Sequence, residues 1–175
     1  TMMNKGFELI EAFWLFDIDL DKIEIIVHPE SIIHSMVEFK DKSIKAQLGV
    51  PEMKVPINYA INYPYHSFLD MESLDLTSIS NLTFMKPDLK KFRCIDLAYQ
   101  AIRHGGSSPA VLNASNDTAV KLFLKNKISF TDIPKIIEDA LTYHEHLTSP
   151  TLDEIYELIS WTENFTYERL LNVNN

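Results

Sequence analysis

From residue 91 onward the pattern is helical, in four segments with short connections and no internal repeat. Ile95, Ala98, Tyr99 and Ile102 recur at three- and four-residue spacing, and His104 with Gly105-Gly106 ends the run. Glycine does this because it takes the left-handed conformation that terminates helices. Ser108-Pro109 opens a second helix running to about Asn126, with proline in the first turn, where its missing N–H is harmless. Thr131 caps a third, in which Ile133, Ile136, Ile137, Ala140 and Leu141 make one stripe. Thr151-Leu152-Asp153-Glu154 has capping-box spacing and opens a fourth, carrying Ile155, Tyr156, Ile159 and Leu170. Four amphipathic helices with short connections bury their stripes by packing as a small bundle.

The first third is different. Residues 4 to 16 read as a helix with Phe7, Ile10, Phe13 and Trp14 on one face and Asn4, Lys5 and Glu8 on another side. Residues 23 to 28 are β-branched and read as a strand ended by Pro29. Ile32 to Phe39 and Ser43 to Leu48 read as two more, with Lys40-Asp41-Lys42 as a hairpin tip. A loop at Gly49 to Met53 leads to a short helix from Val55 to Asn62. From 63 to 90, Pro64, Pro87 and several Ser and Asn residues break every period, leaving Leu82-Thr83-Phe84 as one short edge strand. The expected fold class is therefore α+β: a small, mostly antiparallel or mixed sheet with a flanking helix, then a C-terminal four-helix bundle. The expected division is residues 1–62, a linker at 63–90, and a helical domain at 91–175.

Composition narrows the partners. The 175 residues carry 16 Lys and Arg against 25 Asp and Glu, a net charge of −9. Non-specific nucleic-acid binding needs cations to displace phosphate counterions, so nucleic acid is not an expected partner; a small anionic substrate is, served by one local lysine. Cys94 is the only cysteine, which leaves no internal disulfide and no cysteine-based zinc site. A reducing cytoplasm is the simplest compartment. No apolar run approaches the ~20 residues of a membrane span. The chain begins Thr-Met-Met, which suggests a start inside a longer protein.

Several residue groups have chemistry to offer. Asn4, Lys5 and Glu8 supply an amide for a hydroxyl, an ammonium for a phosphate, and a carboxylate for a hard cation or a proton. Spacing alone favours the plainer alternative, an exposed i, i+3 ion pair worth a few tenths of a kcal/mol. His28-Pro29-Glu30-Ser31-Ile32-Ile33-His34-Ser35 places two imidazoles and two hydroxyls around one turn, as ligands, proton shuttles or turn chemistry. Gly49 to Met53 is either a ligand-approaching loop with Met53 as an apolar wall or an ordinary surface loop. Asn113, Ser115, Asn116 and Asp117 are poor helix formers in mid-helix; they make a buried polar network, an interface or a solvated face. His144 and His146 read as partners of a helix C-terminus.

Thr1-Met2-Met3-Asn4-Lys5-Gly6-Phe7-Glu8 resembles the (Asp-Ser-Ala)-Thr-Met-Met-Asn-Lys-Gly segment of the 1-deoxy-D-xylulose 5-phosphate reductoisomerase family. The resemblance continues in one register through His28 to Val37, Ala46 to Met53, Leu82-Thr83-Phe84 and Leu112 to Asp117. Glu52 stands where the family usually has Asp, and Asp117 where it usually has Glu.

That resemblance implies an enzyme that rearranges 1-deoxy-D-xylulose 5-phosphate and reduces the product with NADPH and Mg²⁺ or Mn²⁺. The product is 2-C-methyl-D-erythritol 4-phosphate, on the non-mevalonate isoprenoid route. It implies Glu8 as metal ligand and substrate contact, Lys5 and Asn4 as substrate- and phosphate-binding residues, and Lys5 and Glu8 as the catalytic pair. Ser31, His34 and Met53 are implied at the cofactor side. The family's NADPH domain and its Asp-Ser-Glu metal-binding segment would precede Thr1, so the chain resembles a C-terminal half, expected to be inactive alone and to form a homodimer in the whole enzyme. The competing expectation is a stand-alone helical interaction or regulatory module; an upstream Asp-Ser-Glu segment would separate the two.

Overall fold

The computed structural model describes residues 1–173, with side chains described through residue 169. The chain forms two compact units: Thr1–Ile25 with the helices that follow Pro87, and Ile26–Lys86. The second unit is an excursion between α1 and the bundle, so the helix before the sheet packs with the helices after residue 90.

In the first unit, α1 (Met3–Phe16) lies against α3 (Arg93–His104), which packs with α4 (Ser108–Leu124) and α5 (Asp132–Tyr143), and α6 (Leu152–Val173) packs on α4 and α5. The α3 stripe is buried as its spacing predicts: Ile95 and Ala98 at 0% exposure, joined by Cys94, Leu97 and Ala101. Ile133, Ile136, Ile137 and Ala140 bury the matching face of α5. Two stripes differ from expectation. On α1 the buried residues are Met3, Gly6 and Leu9; Phe7 and Ile10 pack only at the core margin, and Trp14 is 68% exposed. The contact line follows the smallest residue, because Gly6 lets the two helices approach closest. On α6 the buried line is Leu158, Thr162 and Thr166, while Tyr156 is exposed. Thr162 Oγ1 donates to the Leu158 carbonyl at 2.7 Å, which satisfies its hydroxyl inside the helix, whereas Thr166 Oγ1 is buried with no partner among the described residues. Leu170 lies outside the described side chains.

Helix ends follow local chemistry. α4 stops at Leu124 rather than Asn126, because Asn126 takes φ +54° and acts as the terminator. Asn126 N–H bonds the Phe123 carbonyl and Lys127 N–H the Leu122 carbonyl, a paired closure of the last turn. The Thr151 capping box forms: Glu154 N–H donates to Thr151 Oγ1 while Glu154 Oε2 accepts from the Thr151 N–H. At the α5 start Thr131 makes no side-chain cap; Asp132 Oδ2 instead accepts the Ser129 N–H at 2.9 Å.

The second unit holds an antiparallel hairpin, β1 (Ile33–Glu38) and β2 (Ile44–Leu48), and a short helix α2 (Lys54–Asn62). Met36 faces Ala46 and Glu38 faces Ile44 across the hairpin. The expected strand at 23 to 28 does not form. Its Ile23 and Ile25 pack against the bundle core, Tyr99 donates to the Ile23 carbonyl at 3.2 Å, and Val27 alone pairs, with Met85. The expected edge strand at Leu82 to Phe84 does not form either: the bridge to Val27 falls on Met85, and the Thr83 N–H and carbonyl are taken by the Glu30 and His28 side chains. Among the described residues no helix is long and apolar enough to cross a membrane.

Candidate functional site

The α1 helix presents Asn4, Lys5 and Glu8 on its exposed side while Met3, Gly6 and Leu9 are buried on the other. A helix turns about 100° per residue, so one element holds both an anchoring face and a functional face. Lys5 Nζ donates to both Glu8 oxygens, at 2.8 and 2.7 Å. Each side chain remains about half exposed, at 47% and 50%. The ammonium and the carboxylate are therefore pre-paired yet open to an incoming ligand.

Ser31, His34 and Met53 belong to the second unit, and its backbone singles out two of them. Ser31 sits at φ +53°, a left-handed conformation that costs a non-glycine residue energy and concentrates at functional positions. Across the hairpin Ile33 pairs with Leu48 but Ser35 pairs with Gln47, which leaves His34 as the extra residue of a bulge. Bulges re-aim side chains and recur beside active sites. Met53 stands at the start of α2 and is 68% exposed.

The neighbouring His28 has a structural task that sequence spacing did not reveal. Its Nδ1 lies 2.8 Å from the Thr83 carbonyl and 3.0 Å from Glu30 Oε2, and its ring stacks on Phe84 at 4.9 Å. Glu30 in turn accepts the Thr83 N–H at 3.1 Å. Hydrogen bonds from Thr83 hold the Glu30 carboxyl below the usual range. His28 Nε2 is buried and has no partner among the described residues. The one sequence signal of the bulge is the adjacent pair Ile32-Ile33, which breaks the alternation expected of a strand.

The remaining groups resolve into structure. Ser115 is buried and donates to the Val111 and Leu112 carbonyls, whereas Asp117 pairs with Lys121 at 2.6 Å on the surface. The mid-helix polar cluster is thus split between a buried and a solvated face. His144 Nδ1 bonds the Leu141 carbonyl at 2.9 Å, as a helix-end partner does, and burial pushes its imidazole pKa down. A cleft of about 490 Å³, lined by Arg103, His104, Glu138 and others, lies on the bundle and holds none of the predicted site residues.

Among the described residues, no three His, Cys, Asp or Glu side chains are grouped to hold a metal ion. Glu8 fits as one hard oxygen donor to a Mg²⁺-type cation, which takes one or two protein carboxylates beside water and substrate oxygens. Lys5 beside it suits a phosphate as a point charge.

A family model described as DXP reductoisomerase C-terminal domain matches residues 48–165. The chain is 54% identical over 169 residues to the 1-deoxy-D-xylulose 5-phosphate reductoisomerase of Chloroherpeton thalassium, covering 97% of this chain and 44% of that protein. It is 59% identical over 141 residues to the one from Clostridium tetani, covering 81% of this chain and 37% of that protein. The chain thus spans under half the length of these relatives. Among solved structures, the Zymomonas mobilis reductoisomerase in complex with NADPH superposes with a TM-score of 0.90 at 44% identity, over 97% of this chain and 45% of that one. A DOX-P reductoisomerase in complex with NADPH, fosmidomycin and magnesium superposes with a TM-score of 0.92 at 37% identity, over 99% of this chain and 45% of that one.

Proposed function

The chain belongs to the DXP reductoisomerase C-terminal domain family, and from that premise we propose that it is the C-terminal part of an NADPH- and divalent-metal-dependent enzyme. The enzyme converts 1-deoxy-D-xylulose 5-phosphate to 2-C-methyl-D-erythritol 4-phosphate on the non-mevalonate isoprenoid route. One observation carries the reading: the motif Asn4-Lys5-Gly6-Phe7-Glu8 folds as a helix whose polar residues stand exposed and paired while its Gly6 side is buried. On this reading residues 1–62 finish the catalytic domain, 63–90 link, and 91–175 are the helical domain.

Glu8 holds the metal and meets the substrate, with Asn4 fixing a hydroxyl and Lys5 the phosphate end. When bound, the cation polarises substrate oxygens and NADPH supplies hydride. Glu8 brings negative charge and a hard oxygen to that cation, and Lys5 holds its neighbour's carboxylate in place until ligand arrives. Ser31 and His34, aimed by left-handed backbone and by a bulge, and Met53, as an adaptable apolar wall, line the nicotinamide side. The enzyme works as a homodimer. The enzymatic reading, apart from the assembly, is also supported by the match of the chain to reductoisomerases along nearly its whole length, including relatives solved with NADPH and with magnesium.

The test is NADPH oxidation by the full-length protein and by this chain alone, each with the deoxyxylulose phosphate and Mg²⁺. Turnover by the former and none by the latter is expected. Turnover by the isolated chain, or none by the full-length protein, overturns the proposal.

A further inference from the structure

Gly6 and Ala98 meet where α1 packs on α3. A Cβ at Gly6 would stand 2.7 Å from the Ala98 Cβ, 3.3 Å from Met3 Sδ and 3.5 Å from the Cys94 carbonyl oxygen. The Met3 side chain can yield; the Ala98 methyl cannot, because its own helix backbone holds it. Ala98 is 0% exposed and Cys94 1%, so the face of α3 that meets α1 is fully buried and the contact has no free space beside it. At about 100° per residue, Asn4 and Glu8 stand about 160° from Gly6 around the helix. The closest contact of the helix therefore lies nearly opposite its exposed polar face.

We infer that the Gly6–Ala98 contact is a positioning device, with Ala98 of the bundle setting the height at which Asn4, Lys5 and Glu8 stand. The inference rests on the substrate and metal roles proposed for that face. Carbon atoms pack at about 3.7 Å, so one added methyl on α1 displaces the helix by about 1 Å, directly along the direction Asn4 and Glu8 face. A misplacement of that size costs on the order of 10²-fold in rate even when it arises far from the reacting atoms. Lys5 moves with the helix and carries the phosphate contact along.

The experiment moves the methyl from one helix to the other in the full-length protein. Gly6→Ala is expected to lower kcat about 10²-fold, raise the Mg²⁺ needed for half-maximal rate, and show the α1 face moved outward by about 1 Å in a crystal structure. The swap Gly6→Ala with Ala98→Gly restores one methyl at the contact. It is expected to return the helix and to recover kcat to within about tenfold of wild type. An unmoved α1 in Gly6→Ala overturns the inference whatever the activity. A swap that restores the helix but stays slow overturns it too, and so does a swap that fails to fold. If Gly6→Ala alone does not fold, the folded swap decides by the same two readouts. Wild-type protein without turnover, combined with the expected helix shift, overturns the enzymatic reading and leaves the spacing role standing.

Discussion

Glu8 combines an exposed carboxylate with a rigid base, and the two properties separate in a mutant. Its ion pair with Lys5 is solvent-exposed, and such pairs contribute about 0–1 kcal/mol to stability. Glu8→Gln keeps the shape and removes the charge a divalent cation requires. In the full-length protein we expect kcat/KM to fall on the order of 10²-fold or more with a nearly unchanged melting temperature. Lys5→Met is expected to act chiefly through KM, because a phosphate contact is largely uniform between ground and transition states. Glu11, exposed further along α1, is the control, and Glu11→Gln is expected to be nearly silent. Steady-state kinetics across a Mg²⁺ titration, with a melt of each variant, check this set. Wild-type turnover for Glu8→Gln at low metal would remove Glu8 from the ligand set, and a large drop in melting temperature would make it structural.

Between elements, the α3–α4 turn is stapled to the α5–α6 loop. Ser107 N–H donates to the Leu147 carbonyl at 2.9 Å and Leu147 N–H donates back to Ser107 Oγ at 3.0 Å. Gly106 takes φ +51° there, and a Cβ on it would fall 2.1 Å from the Leu147 carbonyl oxygen, so no other residue fits. His104 stacks on His146 at 4.2 Å, and His144 is buried beside them. Burial first, then the facing His146 and His104, keep the His144 pKa below its usual 6.5. The unfolded chain therefore binds a proton on this side chain at a pH where the folded chain does not. Stability from neutral His144 is present above about pH 6.5 and declines as the pH falls through that value toward the lower folded pKa. Thermal melts between pH 7.5 and 5.5 are expected to drop, and to drop less in His144→Asn, whose amide can still donate to the Leu141 carbonyl. Equal slopes would exclude His144. Elements of this kind divide cleanly in legibility. The bundle helices are readable because each stripe and stop signal is local: Ile95-Ala98-Ile102, or Thr151 with Glu154. The 23–28 segment is not, because β-branched residues report suitability for a strand and not the presence of a neighbour; Ile23 and Ile25 found the bundle instead. The site is legible as far as residue identity goes, in Asn4, Lys5 and Glu8. The left-handed Ser31, the bulge at His34 and the Gly6–Ala98 approach depend on contacts tens of residues away in sequence or on register, which no local pattern encodes.

At the scale of the whole molecule the hairpin is the element left unfinished. Cross-strand partners and alternate residues share a face, so Met36, Ile44, Ala46 and Leu48 stand together, all exposed, with the carboxylate residue Glu38 opposite Ile44 at the hairpin tip. Val37, on the opposite face, is 57% exposed and neighbours Lys45, Ser35 and Gln47. Two strands alone are marginal in water, and among the described residues neither edge of this sheet pairs with a further strand. An amphipathic hairpin of this kind is stable when another sheet or a second copy covers its apolar side. A homodimer does this with one self-complementary surface, which is why we place the dimer interface on residues 33 to 48. Sedimentation of the full-length protein at micromolar concentration is expected to give a dimer. Met36→Lys with Ile44→Lys puts two ammonium groups per subunit into that interface, four around the two-fold axis, and is expected to shift the equilibrium to monomer while the bundle melts unchanged. Melting of the bundle is the safeguard, because α3 to α6 and their core cluster lie in the other unit. A wild-type monomer would refute the dimer outright. A dimer that survives both lysines would move its interface off this face, and the apolar side of the hairpin would then have to be covered from within the same subunit.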